Sequence, residues 1–153
     1  IARRQRQMCI RDRVERGTMK LQLTNHIRFG DETEIIQEIH DCEWREKAGY
    51  QYLIYQNADK EKVVIKYNET ELTMSRFSKP QSVMKFFAGK KVLIALPTPM
   101  GIQQFLTDTS HYQLNQDSQS LMLHYDLLQA HTETSFASYQ LELGWFLPIT
   151  DEN

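Results

Sequence analysis

The sequence predicts an all-β fold, a single antiparallel barrel of about eight to ten strands. Three observations carry this. Short runs of alternating apolar and polar residues recur from Met19 onward. Clusters of Gly, Pro, Asn and Asp break them at short intervals. No confident helix interrupts the series. So many strands in a short chain leave unpaired edges, and closure into a barrel removes them. Such a barrel either fills its interior with side chains or holds one small ligand, and periodicity does not choose between the two.

The elements follow in order. "MKLQLTNHI" (19–27) sets Leu21 and Leu23 against Gln22 and Thr24, a half-buried strand. "TEIIQEIHDCEW" (33–44) fits a helical stripe or a strand. Its β-branched Ile35, Ile36 and Ile39 favour the strand. "EKAG" turns the chain into "YQYLIYQ" (50–56), which "NADKEK" ends. "VVIKY" (63–67), the short turn "NE" and "TELTMSRF" (70–77) follow, with Leu72, Met74 and Arg76 on one face. After "SKP", the run "SVMKFFA", "GKK", "VLIALP" (82–97) reads as a hairpin. "TPMG" then leads into "IQQFLTDTSHYQL" (102–114), and "NQDS" into "QSLMLHYDLLQ" (119–129). The last strand, within "TSFASYQLELGWFLPI" (134–149), shows the clearest alternation, from Ala137 to Leu147, and Pro148 stops it.

The 153 residues suit one domain with one core, placed at 19–150. No run approaches the length of a membrane-spanning helix, and no apolar signal region is visible at the start. Cys9 and Cys42 are too few for a disulfide framework and show no paired spacing, so the expected compartment is the cytoplasm. Residues 1–18 carry six Arg against Asp12 and Glu15, whereas the remainder has 12 Lys and Arg against 18 Asp and Glu. The leader reads as lying outside the folding unit, and its "MCIRDR" looks like a translated adapter; as a functional arm it would bind RNA or an acidic surface. The acidic body offers no electrostatic footprint for nucleic acid.

Several segments together resemble the YwiB-like family of bacterial proteins, domain of unknown function 1934. They are "GYQYLIY" (49–55), "VVIKYNETELTMSRF" (63–77), "MKFFAGKK" (84–91), "TPMG" (98–101), "LTDTSHYQL" (106–114) and "LMLHYDL" (121–127). The family's glycine before the third strand matches Gly49, and its late basic residue matches Arg76. Its Thr-Pro-x-Gly turn matches Thr98, Pro99 and Gly101, and the following threonine matches Thr107. Gln56 departs from the pattern, standing where such proteins often carry a carboxylate, and the leader has no counterpart. The resemblance implies a calycin-like, lipocalin-related barrel and no activity. Calycin barrels often bind small apolar ligands, but fold does not fix function.

Candidate residues each have a bland alternative. Arg76 shares parity with Leu72 and Met74, so it points inward near a barrel end. There it anchors an anionic ligand, or pairs with an internal glutamate, or runs its stem along the wall. "LPTPMG" reads as a corner: the prolines fix φ, Gly101 takes a φ that other residues resist, and the Thr98 hydroxyl ties the turn. At an open mouth Thr98 and Met100 would line the entrance. Trp44, Tyr50, Tyr52, Tyr125, Tyr139 and Trp145 fence a cavity or simply fill it.

His26, His40, His111, His124 and His131 form no metal-binding spacing. His111 lies near Asp108, and His124 shares a face with Asp126, as solvated sheet faces often show. Cys42 lies on the face of His40 without an oxyanion element or third group, which favours a half-buried thiol. The serines lack a GxSxG context. Lys79, Lys85, Lys90 and Lys91 make too narrow a stripe for RNA.

These readings converge on a barrel that binds a small apolar or amphipathic ligand without catalysis. Arg76, Thr98, Met100, Tyr52 and Tyr125 are the candidate ligand residues, with no metal and no cofactor. The alternative is a structural or protein-interaction module, such as a homodimer. A divergent hydrolase or isomerase ranks below both. No nucleic-acid or membrane partner is expected.

Overall fold

The computed structural model describes residues 19–148, which form ten strands. They are β1 (Met19–Phe29), β2 (Glu32–Lys47), β3 (Tyr50–Gln56), β4 (Lys62–Tyr67), β5 (Glu71–Phe77), β6 (Ser82–Phe87), β7 (Lys91–Thr98), β8 (Gly101–Asn115), β9 (Ser120–Gln129) and β10 (Ser135–Phe146). The basic leader lies outside the described residues. One sheet contains all ten, in the order β6-β5-β4-β3-β2-β1-β10-β9-β8-β7. Every bonded pair is antiparallel. The first strand pairs with the last, so the meander rolls into a nearly closed barrel.

The alternation read from the sequence places the core. Leu21 and Leu23 of β1, Val63, Ile65 and Tyr67 of β4, and Leu121, Leu123 and Tyr125 of β9 all face inward and are buried. Leu141, Leu143 and Trp145 of β10 join them in one cluster. Leu53, Ile65, Tyr67, Leu72 and Leu123 have no exposed surface at all. Burying each such aliphatic side chain contributes about 1.5–3 kcal/mol. The ambiguous run 33–44 is strand, as its β-branched residues favour.

Two aromatic groups fill the middle. Tyr67 packs tilted against Trp145 at 5.2 Å, and Tyr125 lies between Phe86 at 4.4 Å and Tyr139 at 4.6 Å. Tyr125 and Tyr139 thus stack on each other, and Trp145 packs on Tyr67. Tyr50 and Tyr52 have the opposite parity to buried Gln51 and Leu53, and they face outward.

The run 82–97 departs from the expected hairpin. A turn does join β6 to β7, but the two strands are the opposite ends of the sheet order and share no ladder. The turn bonds to β8 instead. The Gly89 N–H donates to the Thr109 carbonyl at 3.1 Å, and the Thr109 N–H donates to the Lys90 carbonyl at 3.2 Å. Below it, the buried Thr107 hydroxyl donates to the Lys85 carbonyl at 2.6 Å. β8 therefore clasps the end of β6 from inside, and a seam is left between β6 and β7.

The two clasp threonines differ in one respect. Thr107 Oγ1 has a partner, whereas Thr109 Oγ1 is buried with no hydrogen-bond partner among the described residues. Thr107→Val should therefore destabilise the fold by about 1–3 kcal/mol, because it orphans a carbonyl at the closure. Thr109→Val should be neutral or stabilising, because it removes an unpaired hydroxyl. Urea denaturation of both variants checks the contrast.

Candidate functional site

Antiparallel up-and-down order puts alternate connections at the same end of the barrel. The β1–β2, β3–β4, β5–β6, β7–β8 and β9–β10 turns thus surround one mouth. Inward residues near it come from different strands. Register places Tyr55, Val63, Arg76 and Ser82 in one row across β3 to β6. The row below holds Leu53, Ile65, Met74 and Met84.

Arg76 sits at the rim on the inner face, as its parity predicts. It is about half exposed, and its Nε lies 3.8 Å from Glu61 Oε1. At that distance the pair is loose, and a surface pair of this kind contributes little stability. Glu61 Oε1 also accepts from Asn57 Nδ2 at 3.1 Å. The guanidinium is thus steered over the mouth with most of its donors unspent.

Where β6 and β7 part, a cleft of about 250 Å³ opens. Met74, Met84, Leu96 and Pro97 line it, with Arg76 and Ser82 at its polar edge. The sheet's free edges explain why it is there: no ladder fills the gap between the strands. The methionines suit such a site because their unbranched thioethers adapt to irregular space.

A second polar group lies beside it. His40 Nε2 is 2.7 Å from Glu38 Oε1, and the imidazole stacks on Tyr55 at 4.5 Å. Burial pushes the Tyr55 phenol up to about 12; Glu38 pushes the same way and Arg76 opposes. Cys42, two residues on, is fully buried rather than half-buried, and burial with Asp41 and Glu43 pushes its thiol up to about 11. A thiol held protonated is a poor nucleophile. Among the described residues no group of three or more His, Cys, Asp or Glu side chains can hold a metal ion.

The structure brings only some of the anticipated residues together. Arg76, Thr98 and Met100 share the mouth end. Thr98 ties its corner as expected: Oγ1 donates to the Gly101 carbonyl at 2.6 Å and accepts from the Met100 N–H at 3.2 Å, while Gly101 takes φ +105°. Met100 projects into solvent at the tip of that corner, away from the cleft lining. Tyr125 is buried mid-barrel, and Tyr52 lies on the outer face. Sequence reading missed Met74, Met84, Leu96 and Pro97 as a group. Only the absence of β6–β7 pairing joins them, and no local signal reports that.

The sequence matches the family described as Domain of unknown function (DUF1934) over residues 21–143, which spans β1 to most of β10. The chain belongs to the DUF1934 family. A crystal structure of ywiB protein from Bacillus subtilis superposes on this DUF1934 barrel with a TM-score of 0.72. The likeness covers 87% of this chain and 93% of that one at 16% identity, and it speaks to the fold alone. A comparison with curated proteins found no match. No helix among the described residues is long and apolar enough to cross a membrane.

The buried thiol gives a pH test. The Cys42 pKa is raised on folding, so the folded state favours the protonated thiol. Its stabilising contribution is complete below the ordinary value of 9.0 and is lost as pH rises toward about 11. Tyr55 acts in the same sense from 10.0 to about 12. Urea midpoints should fall above pH 9, and Cys42→Ala should flatten the first part of that decline.

Proposed function

We propose that this barrel binds a small amphipathic anion, without catalysis, in the cleft at its β6–β7 seam. The carrying observation is the cleft lining: four apolar side chains, with one guanidinium at the edge whose ion-pair partner, Glu61, stands 3.8 Å away. Arg76 takes the ligand's carboxylate or sulfonate, and Met74, Met84, Leu96 and Pro97 take its apolar part. The aromatic pairs packed in the core favour the seam over the barrel centre, where the sequence would put the site. The up-and-down antiparallel order is also that of calycin barrels, which supports the calycin lineage as part of this proposal. The cytoplasm is its compartment, on the sequence argument that two cysteines are too few for a disulfide framework.

The exposed β7–β8 hairpin supports a second reading, a protein-interaction module. Leu93, Met100 and Ile102 are 55, 87 and 71% exposed. In this reading a second copy covers them, and sedimentation velocity separates the alternatives: Met100→Lys with Ile102→Lys would abolish a dimer without touching the cleft.

Anilinonaphthalenesulfonate, an aromatic sulfonate, is a suitable probe for the cleft. Its fluorescence titration should saturate at one site and be displaced by decanoate. Arg76→Ala should weaken binding by about tenfold to a hundredfold, the loss of one charge-assisted hydrogen bond at roughly 1.5–3 kcal/mol. Met84→Lys should abolish it. Equal affinity in all three proteins would sink the proposal.

A further inference from the structure

We propose that His111 and His124 form a two-imidazole binding site for a first-row transition-metal ion on the outer wall of the barrel. A bulge in β8 aims the first of the two rings. Thr107 and Thr109 of β8 face inward and are buried. Strict alternation would turn His111 inward with them. The register instead shifts between Thr109 and His111, with Ser110 as the extra residue. His111 is thereby exposed on the outer face, and Tyr112 and Leu114 resume the inward set. A bulge re-aims side chains in this way.

The re-aimed ring meets a partner. His111 now pairs in register with His124 of β9, which is outward because Leu123 and Tyr125 on either side are buried. The two ring centroids are 4.9 Å apart, tilted by 42°. Two imidazoles held this close on adjacent strands present two nitrogen donors to one ion without loop ordering, since both backbones are fixed by the sheet. Imidazole suits Ni²⁺, Cu²⁺ and Zn²⁺.

The surroundings favour a cation. In the outward row on one side, Asp108 faces Asp126; in the row on the other side, Glu142 of β10 lies diagonal to His124. Gln140 stands beside His124 in its own row, and His26 of β1 lies beyond it. Burial and the neighbouring His111 both lower the pKa of His124, while Glu142 opposes them. A neutral imidazole is the form that ligates. The chain supplies two nitrogens, water completes the coordination, and the carboxylates act through their charge.

The experiment is calorimetric titration of the full chain with Ni²⁺ at about pH 7.5, repeated at about pH 5.5. One site is expected at the higher pH. Its Kd should rise about tenfold or more in His111→Gln and in His124→Gln, because each loses the chelate effect of two linked donors. His26→Gln should leave it unchanged. Acidification should weaken binding, since protons compete with the ion for both rings. Electron paramagnetic resonance of the Cu²⁺-loaded chain should show coupling to two imidazole nitrogens, reduced to one in either variant. Both positions lie on the outer face, so circular dichroism of the variants should match the parent. Absence of Ni²⁺ binding to the parent would overturn the proposal, as would parent-like affinity in either His111→Gln or His124→Gln, or loss in His26→Gln.

Discussion

A ten-stranded meander must dispose of its two edges, and every other feature of this barrel depends on where it puts them. Had the sheet been open between its first and last strands, the chain ends would carry the edges. Here β1 and β10 share a nine-residue register from Lys20 to Arg28, so the ends of the domain are bonded to each other rather than left as edges. The edges fall instead to β6 and β7, two strands adjacent in sequence. An exposed strand edge invites pairing with other chains. This one is restrained from within, because β8 supplies backbone bonds through Thr109 and a side-chain bond through Thr107.

That choice separates stability from recognition. The middle of the barrel is occupied by Tyr67, Trp145, Phe86 and Tyr125, which pack in tilted pairs. The far end is closed as firmly. The Tyr112 hydroxyl lies 2.8 and 2.7 Å from the carbonyls of Asn68 and Glu71, tying β8 to the β4–β5 turn. In a barrel whose centre is packed with rings, a gap between two unbonded strands is where an apolar group can slip between walls. The seam is such a gap, and it reaches the mouth at Arg76. The second polar group at the mouth, Glu38 with His40, is committed to itself at 2.7 Å and to the Tyr55 ring. Arg76 is thus the group there with donors to offer.

Much of the fold was legible in the sequence because a strand's parity is a local property. Leu21 and Leu23, or Leu141, Leu143 and Trp145, declare their face without reference to the rest of the chain. Parity also put Arg76 inward, and the Thr98–Gly101 corner followed from proline and glycine chemistry. The failures all concern pairing. The run 82–97 carries a hairpin's pattern, but whether two strands bond depends on what lies beneath the turn, here Thr109. Tyr52 and Tyr125 looked alike as aromatics, yet only parity against their buried neighbours separates an outer-wall residue from a core one. His111 was matched with Asp108, and His124 with Asp126, by nearness along the chain. The structure pairs the histidines with each other, because one unannounced extra residue shifts the register.

Closure and the histidine pair therefore share a cause without sharing a requirement. The clasp needs Thr109 inward to meet the β6–β7 turn, and the far end needs Tyr112 inward to meet Asn68 and Glu71. Those residues are three apart, and a strand's period of two cannot satisfy both. One inserted residue resolves the conflict, so the bulge at Ser110 follows from closure alone. Closure dictates nothing about the side chain at the re-aimed position, which lies in solvent and bonds to no core group. An imidazole there, in register with a second imidazole and flanked by carboxylates on both sides, is an independent fact about the outer wall. It is also an electrostatic conflict if both rings are protonated, since two cations would sit 4.9 Å apart. The arrangement is comfortable only with neutral rings, or with a cation between them that both can share.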